Sequence, residues 1–360
     1  MCTTHSLNSI SILITTLLAC FASLTAATEP SNAESHQELT LLNWSEYIEP
    51  TVVQAFEQQF KAKVKEIYFE SDDDRDAMLA ETDGLGYDLV LVNQGRLADY
   101  YRRGWLAQLD EQKIPNLRHI DPLWRNFRAE LAGYGVPYFW GTTGIAYRAD
   151  LVSEPITRWQ QIYRPQETLR NKIIMIKSAR ETVGMALKAL GYSTNSTDLL
   201  QLSAAETLLM QQKPFVKDYS YPSLNENADL VTGQAWATMI YNGDALALKE
   251  HHERIVYTLP EEGGGIWVDY LTVTQSSTRK ALAMAFINFL NEPENAAKIA
   301  RFVYFATPNQ AAEKLLPTEF LNDPVIYPSE AALQKSEFLT DLPPRVAKRY
   351  NGIFMQLLEH

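Results

Sequence analysis

From residue 39 onward, short apolar runs alternate with stretches whose apolar positions recur every three or four residues. The run at 39–42 reads as a buried strand. It leads into Trp44, Ser45 and Tyr47, with Pro50 placed where a helix can begin. Val52, Val53, Phe56 and Phe60 then fall at helical spacing. Strands are expected at 63–70 and 87–92, and an amphipathic helix at 97–109 with Gly104 weakening its middle. Residues 135–147, GVPYFWGTTGIAY, are glycine-rich and β-like, and mark where the chain leaves one domain for the next.

A second set follows: a helix at 159–163, a strand at 172–176, and a helix at 181–190 with Val183, Ala186, Leu187 and Leu190 on one side and Gly191 as its stop. A helix at 203–212 precedes a strand at 235–241 ending in Asn242-Gly243-Asp244, then a helix at 245–251. Strands at 255–259 and 266–274 flank the glycine run 263–265, and the chain from 278 is mostly helical. Strands alternating with helices predict an α/β protein with mostly parallel sheets. Two such sets predict two lobes with a ligand cleft between them.

A chain of 360 residues can bury two cores. Its net charge of −12 leaves no basic excess for broad nucleic-acid binding. Residues 1–27 carry no Lys, Arg, Asp or Glu, and their apolar centre at 10–24 is short for a membrane span. Small residues at 25–27 predict an export signal cleaved after Ala27. Leu17-Leu18-Ala19-Cys20 offers the alternative of lipid attachment at Cys20. Cys2 and Cys20 both fall in this leader, so the exported body has no disulfide.

No G-x-S-x-G elbow, P-loop or H-E-x-x-H is present, which argues against an enzyme. Gly263-Gly264-Gly265 lacks the following Lys-Ser/Thr and reads as a flexible turn. Asp72, Asp74, Asp76 and Asp83 imitate a calcium loop, but Ala77 stands where glycine is required, so no metal is assigned. Two aromatic–acid pairs are more informative: Tyr241 with Asp244, and Trp267 with Asp269. A ring face attracts an alkylammonium and a carboxylate accepts its hydrogen bonds, so two pairs suit a linear ligand with more than one amine. Asp244 also fits as the N-cap before Ala245. Asp269, amid IWVDYL, has the alternative of a satisfied buried polar group, and Trp44 and Tyr47 that of ordinary core aromatics.

Ordered segments across the exported chain resemble the bacterial periplasmic spermidine/putrescine-binding proteins: NWSEYIEP from Asn43, YDLV from Tyr87, VPYFWGTTGI from Val136, MIYNGDA from Met239, EGGGIWVDYL from Glu262 and ATPNQAAEKLL from Ala306. The resemblance implies a two-lobed, type II-like α/β fold closing on ligand without a cofactor. It implies lobes at 38–144 plus 271–318 and at 145–270 plus 319–360. Ligand walls map to Trp44, Tyr47, Tyr241, Trp267 and Phe305, with Ser45 as a polar contact, and ammonium-binding acids map to Glu181, Asp244 and Asp269. Ser178, Asn93, Gly95 and Leu339 depart from the family's aspartate, serine, tyrosine and glutamine, which leaves spermidine and norspermidine both open. The chain also resembles the norspermidine-sensor branch. That resemblance implies a periplasmic monomer reporting polyamine to an inner-membrane signalling receptor that controls cyclic-di-GMP and biofilm formation. The alternative partner is an ABC permease for polyamine uptake.

Overall fold

The apolar runs pair into one mixed sheet in the computed structural model, which describes residues 37–126 and 129–359. The expected leader, with Cys2, Cys20 and the cleavage position, lies outside the described residues. The strands are β1 (Gln37–Asn43), β2 (Ala62–Tyr68), β3 (Leu89–Asn93), β4 (Val136–Arg148), β5 (Ile173–Met175), β6 (Val216–Tyr219), β7 (Ala237–Tyr241), β8 (Ile255–Thr258), β9 (Gly265–Val273) and β10 (Glu337–Phe338). Their order is β2-β1-β3-β9-β4-β7-β5-β6, with β10 beside β9 and β8 beside β4.

The outer pairs are parallel, β1 with β2 and β3, and β5 with β6 and β7. The centre is not: β9 runs antiparallel to β3 and β4, and β4 antiparallel to β7 and β8. The sheet is therefore mixed, parallel on its flanks and antiparallel through its centre except where β10 runs parallel to β9. Every residue of β4 is buried, so its sequence shows no alternation to mark it as a long crossing strand. The expected lobe changes at 144/145 and 270/271 fall inside β4 and β9.

Alternation is visible where two hydrophobic layers sandwich the sheet. Leu39, Leu41, Leu89, Leu91, Leu271 and Val273 pack with Phe56 and Phe286 on one face. Leu42, Val90, Val92 and Tyr270 pack with Leu79 and Leu97 on the other. In the second half, Ile145, Ile173, Met175 and Met239 meet Val183, Leu187 and Leu209 of the helices Ala179–Ala189 and Leu199–Gln212, and Tyr350 of Pro344–Leu358.

Two local expectations are corrected. The helix expected at 97–109 is Gln94–Arg102, and Gly104, at φ 72°, ends it rather than weakening its middle. Leu106 then returns to the sheet by bridging Thr274. The glycine run at 263–265 is a close approach as well as a turn. A Cβ at Gly263 would lie 2.1 Å from the carbonyl oxygen of Lys335, and one at Gly264 2.2 Å from that of Thr143.

Gly141 of β4 has the same character beside Trp267. A Cβ there would stand 2.3 Å from Asn242 Oδ1 and 2.5 Å from the Trp267 ring. Gly141→Ala is expected to cost about 1–3 kcal/mol by overpacking, read as a lower urea midpoint, and to displace the Trp267 indole.

Candidate ligand site

The C-terminal ends of the parallel strands β1, β3 and β7 supply side chains to one place, where open α/β sheets gather ligand-binding groups. After β1 the chain turns through Glu46 at φ 55°, and Glu49 caps the helix Pro50–Phe60 by accepting from the Val52 N–H at 3.0 Å. This turn drives Tyr47 inward while Ser45 stays exposed. Antiparallel β9 brings Trp267 and Asp269 alongside, and β7 ends at Tyr241.

A continuous line of rings results. Tyr47 meets Phe305 edge-on at 5.8 Å, Phe305 meets Trp267 at 4.8 Å, Trp267 meets Tyr241 at 5.6 Å, and Tyr241 meets Tyr221 at 5.5 Å. Each expected acid is held by a tyrosine hydroxyl of this line. Tyr47 Oη donates to Asp269 Oδ2 at 3.0 Å and Tyr241 Oη to Glu181 Oε2 at 2.9 Å, while Tyr221 Oη donates to Asp244 Oδ2. Thr143 Oγ1 adds a 3.1 Å bond to Glu181 Oε1. Ser178 is occupied as the cap of the helix Ala179–Ala189, accepting from the Glu181 N–H.

No lysine or arginine makes an ion pair with Glu181, Asp244 or Asp269 among the described residues. Burial pushes all three carboxyls up to about 7. At Asp269 the negative charge of Asp72 adds to this, and the Tyr47 hydrogen bond works against it. Burial also raises the Tyr47 and Tyr241 hydroxyls, so they remain protonated donors. Tyrosines satisfy one lone pair each but bring no positive charge. The arrangement is chemically suited to a chain of ammonium groups separated by methylenes, with rings beside the methylenes and carboxylates at the charges.

Trp44 departs from this pattern. Its ring packs against Phe69 at 4.3 Å and shares the hydrophobic layers around the turn, and Ser45 joins none of these contacts. Asp244 is corrected as a helix cap: the helix Asn242–His251 starts two residues earlier, Tyr241 holds the cap position, and Asp244 lies in the first turn. The sequence reading missed Tyr221, a loop residue with no periodic pattern around it. It also missed Thr143, which lies within the fully buried β4. Of the calcium-like aspartates, Asp72 and Asp74 lie in the first turn of the helix Asp72–Thr82, Asp76 follows them, and Asp83 caps its other end; Asp72 pairs with Arg75 and Asp76 with Arg96. Among the described residues, no group of three or more acidic, histidine or cysteine side chains is arranged to hold a metal.

A family model for bacterial extracellular solute-binding proteins matches residues 51–327. The spermidine/putrescine-binding periplasmic protein of Salmonella typhimurium is 31% identical over 87% of this chain and 89% of its own. The norspermidine sensor of Vibrio cholerae is 29% identical, over 82% of each chain. The solved structure of the spermidine/putrescine ABC transporter substrate-binding protein PotD from Streptococcus pneumoniae is 28% identical, covers 89% of this chain and 98% of its own, and superposes with a TM-score of 0.77.

Proposed function

The chain belongs to the bacterial extracellular solute-binding protein family, and from that premise we propose that it is a periplasmic receptor for a linear polyamine. The observation that carries this reading is the set of three carboxylates, Glu181 and Asp269 buried and Asp244 partly buried, each on a tyrosine hydroxyl and, among the described residues, none in an ion pair with a cationic side chain. A polyamine supplies the missing positive charge, and its methylenes fit against Phe305, Trp267 and Tyr241. Among the described residues no helix is long and apolar enough to cross a membrane.

Binding acts through closure of two lobes, at 38–144 plus 271–318 and at 145–270 plus 319–360. Tyr47 and Phe305 belong to the first and Glu181, Tyr241 and Asp244 to the second, while Trp267 and Asp269 lie on the crossing strand β9 next to the change at 270/271, with Asp269 paired to Asn93 of the first. A ligand that touches both stabilises the closed form by its differential affinity. The names of the spermidine/putrescine-binding relatives support an ABC permease as the membrane partner that reads this form. The norspermidine sensor among the relatives supports the second reading, a signalling receptor controlling cyclic-di-GMP and biofilm formation.

Putrescine, spermidine and norspermidine added to the purified exported chain are the first test. A ligand at a hundred times its Kd raises native stability by about 2.7 kcal/mol, so at least one polyamine is expected to raise the melting temperature by several degrees. No shift with any of the three would overturn the polyamine reading. Cross-linking in membranes with and without polyamine separates the outputs, a permease subunit supporting uptake and a signalling receptor supporting sensing.

A further inference from the structure

We propose that Asp72 is a fourth acidic group of this site and biases it toward ligands carrying more ammonium groups; the proposal rests on the polyamine reading above. Asp72 opens the helix Asp72–Thr82, whose cap Ser71 accepts from the Asp74 N–H at 3.1 Å. That helix follows the C-terminal end of β2, on the side of the sheet where β1 and β3 also end. Asn93, the last residue of β3, is the direct antiparallel partner of Asp269, so the two side chains leave the same face as neighbours. Asn93 Nδ2 donates to Asp72 Oδ2. A single amide therefore links Asp72 to the register position facing Asp269.

The second oxygen of Asp72 is fixed as well. Arg75 Nη2 lies 2.7 Å from Oδ1. Arg75 is itself wholly buried, 5.0 Å from the Phe69 ring centre, and its Nε donates to Tyr100 Oη at 2.8 Å. Thus anchored, the Asp72 side chain keeps 35% exposure, enough for a cation to approach. Next to Asn93, Gly95 carries no side chain. A Cβ there would meet only Asn93 Oδ1 at 3.4 Å and the Leu339 carbonyl oxygen at 3.9 Å, which are ordinary contacts, so there is room beside the Asp72–Asn93 pair.

The charge of Asp72 acts on the site from one end. It contributes to raising the carboxyls of Asp269 and Glu181, whereas Asp244 is raised by burial without it. Arg75 works the other way at Asp269 and Arg180 at Glu181, so the negative charge that Asp72 brings to the two acids is partly offset. A ligand with an extra ammonium gains from that charge, and a diamine already matched to two of the other acids gains less.

The test is calorimetric titration of putrescine and spermidine into the exported chain and its Asp72→Asn and Asn93→Ala variants. Asp72→Asn keeps an oxygen for Arg75 and removes the charge. A hydrogen bond to a charged group corresponds to roughly tenfold or more in affinity. Spermidine affinity is therefore expected to fall about tenfold, and putrescine affinity much less. Asn93→Ala, which releases Asp72 without touching the Arg75 pair, is expected to lower the spermidine-to-putrescine ratio in the same direction. It decides the question if Asp72→Asn fails to fold. Equal losses for both ligands, or an unchanged ratio in the folded variants, overturn the role of Asp72 while leaving the polyamine reading intact. Absence of polyamine binding by the unsubstituted chain overturns both.

Discussion

Asp269→Ala is expected to abolish measurable polyamine binding while leaving the fold intact. Asp269 sits at the centre of β9, hydrogen-bonded across the ladder to β3 and β4, with only 6% of its surface exposed. Truncating one partner of a buried, hydrogen-bonded charge pair costs about 2–5 kcal/mol, a loss of about thirtyfold or more. The fold loses little, because the variant also removes an uncompensated carboxyl from the interior. What remains is the Tyr47 hydroxyl without its acceptor, a cost of about 1–3 kcal/mol. Asp269→Asn retains that acceptor and separates the two effects. Unchanged affinity of Asp269→Ala by calorimetry, with the far-ultraviolet spectrum preserved, would contradict this placement of the site.

The second large expected effect is on pH. In the ligand-free protein Glu181, Asp244 and Asp269 are raised from ordinary carboxylate values to about 7. Their stabilising contribution is complete below about pH 4 and is lost as pH rises through 7, because the folded state binds protons that the unfolded state has released. For Asp269, a rise from 3.8 to about 7 corresponds to on the order of 4 kcal/mol. A bound polyamine reverses the preference, since ammonium groups favour the ionised carboxylates. The ligand-free protein is therefore expected to lose stability between pH 4 and 7, whereas polyamine affinity grows from pH 6 to 8. Melting temperatures with and without spermidine across that range check both signs at once. A ligand-induced shift that shrinks as pH rises would show that the three acids do not carry the ammonium groups.

The strands and the acids were legible in the sequence to different degrees, for different reasons. β1, β3 and β9 declare themselves as apolar runs, and Asp269 stands out because an acid amid apolar residues needs a partner. Pairing direction did not declare itself. β4 is buried on all sides, so its residues carry no alternation to distinguish a central antiparallel strand from a parallel one. The turn at Trp44 and Tyr47 read in the sequence as either a ligand wall or ordinary core aromatics, and only the structure distinguishes its two rings. Tyr47 reaches Asp269, whereas Trp44 packs on Phe69. Tyr221 and Asp72 are set beside the site by loop closure and helix capping, across sequence separations that no local pattern encodes. The Asp72 stretch even presented a misleading calcium-like spacing, which the fold uses for a capped helix with buried Arg75.

The central claim is that a polycation completes three proton-holding carboxylates, two of them buried and Asp244 partly so. Titration of spermidine into the purified protein at pH 6.5, repeated in buffers of different ionisation enthalpy, measures this directly because it reports binding and proton exchange together. One-to-one binding with net proton release is the predicted result. Absence of binding, or binding with no proton released, would contradict it.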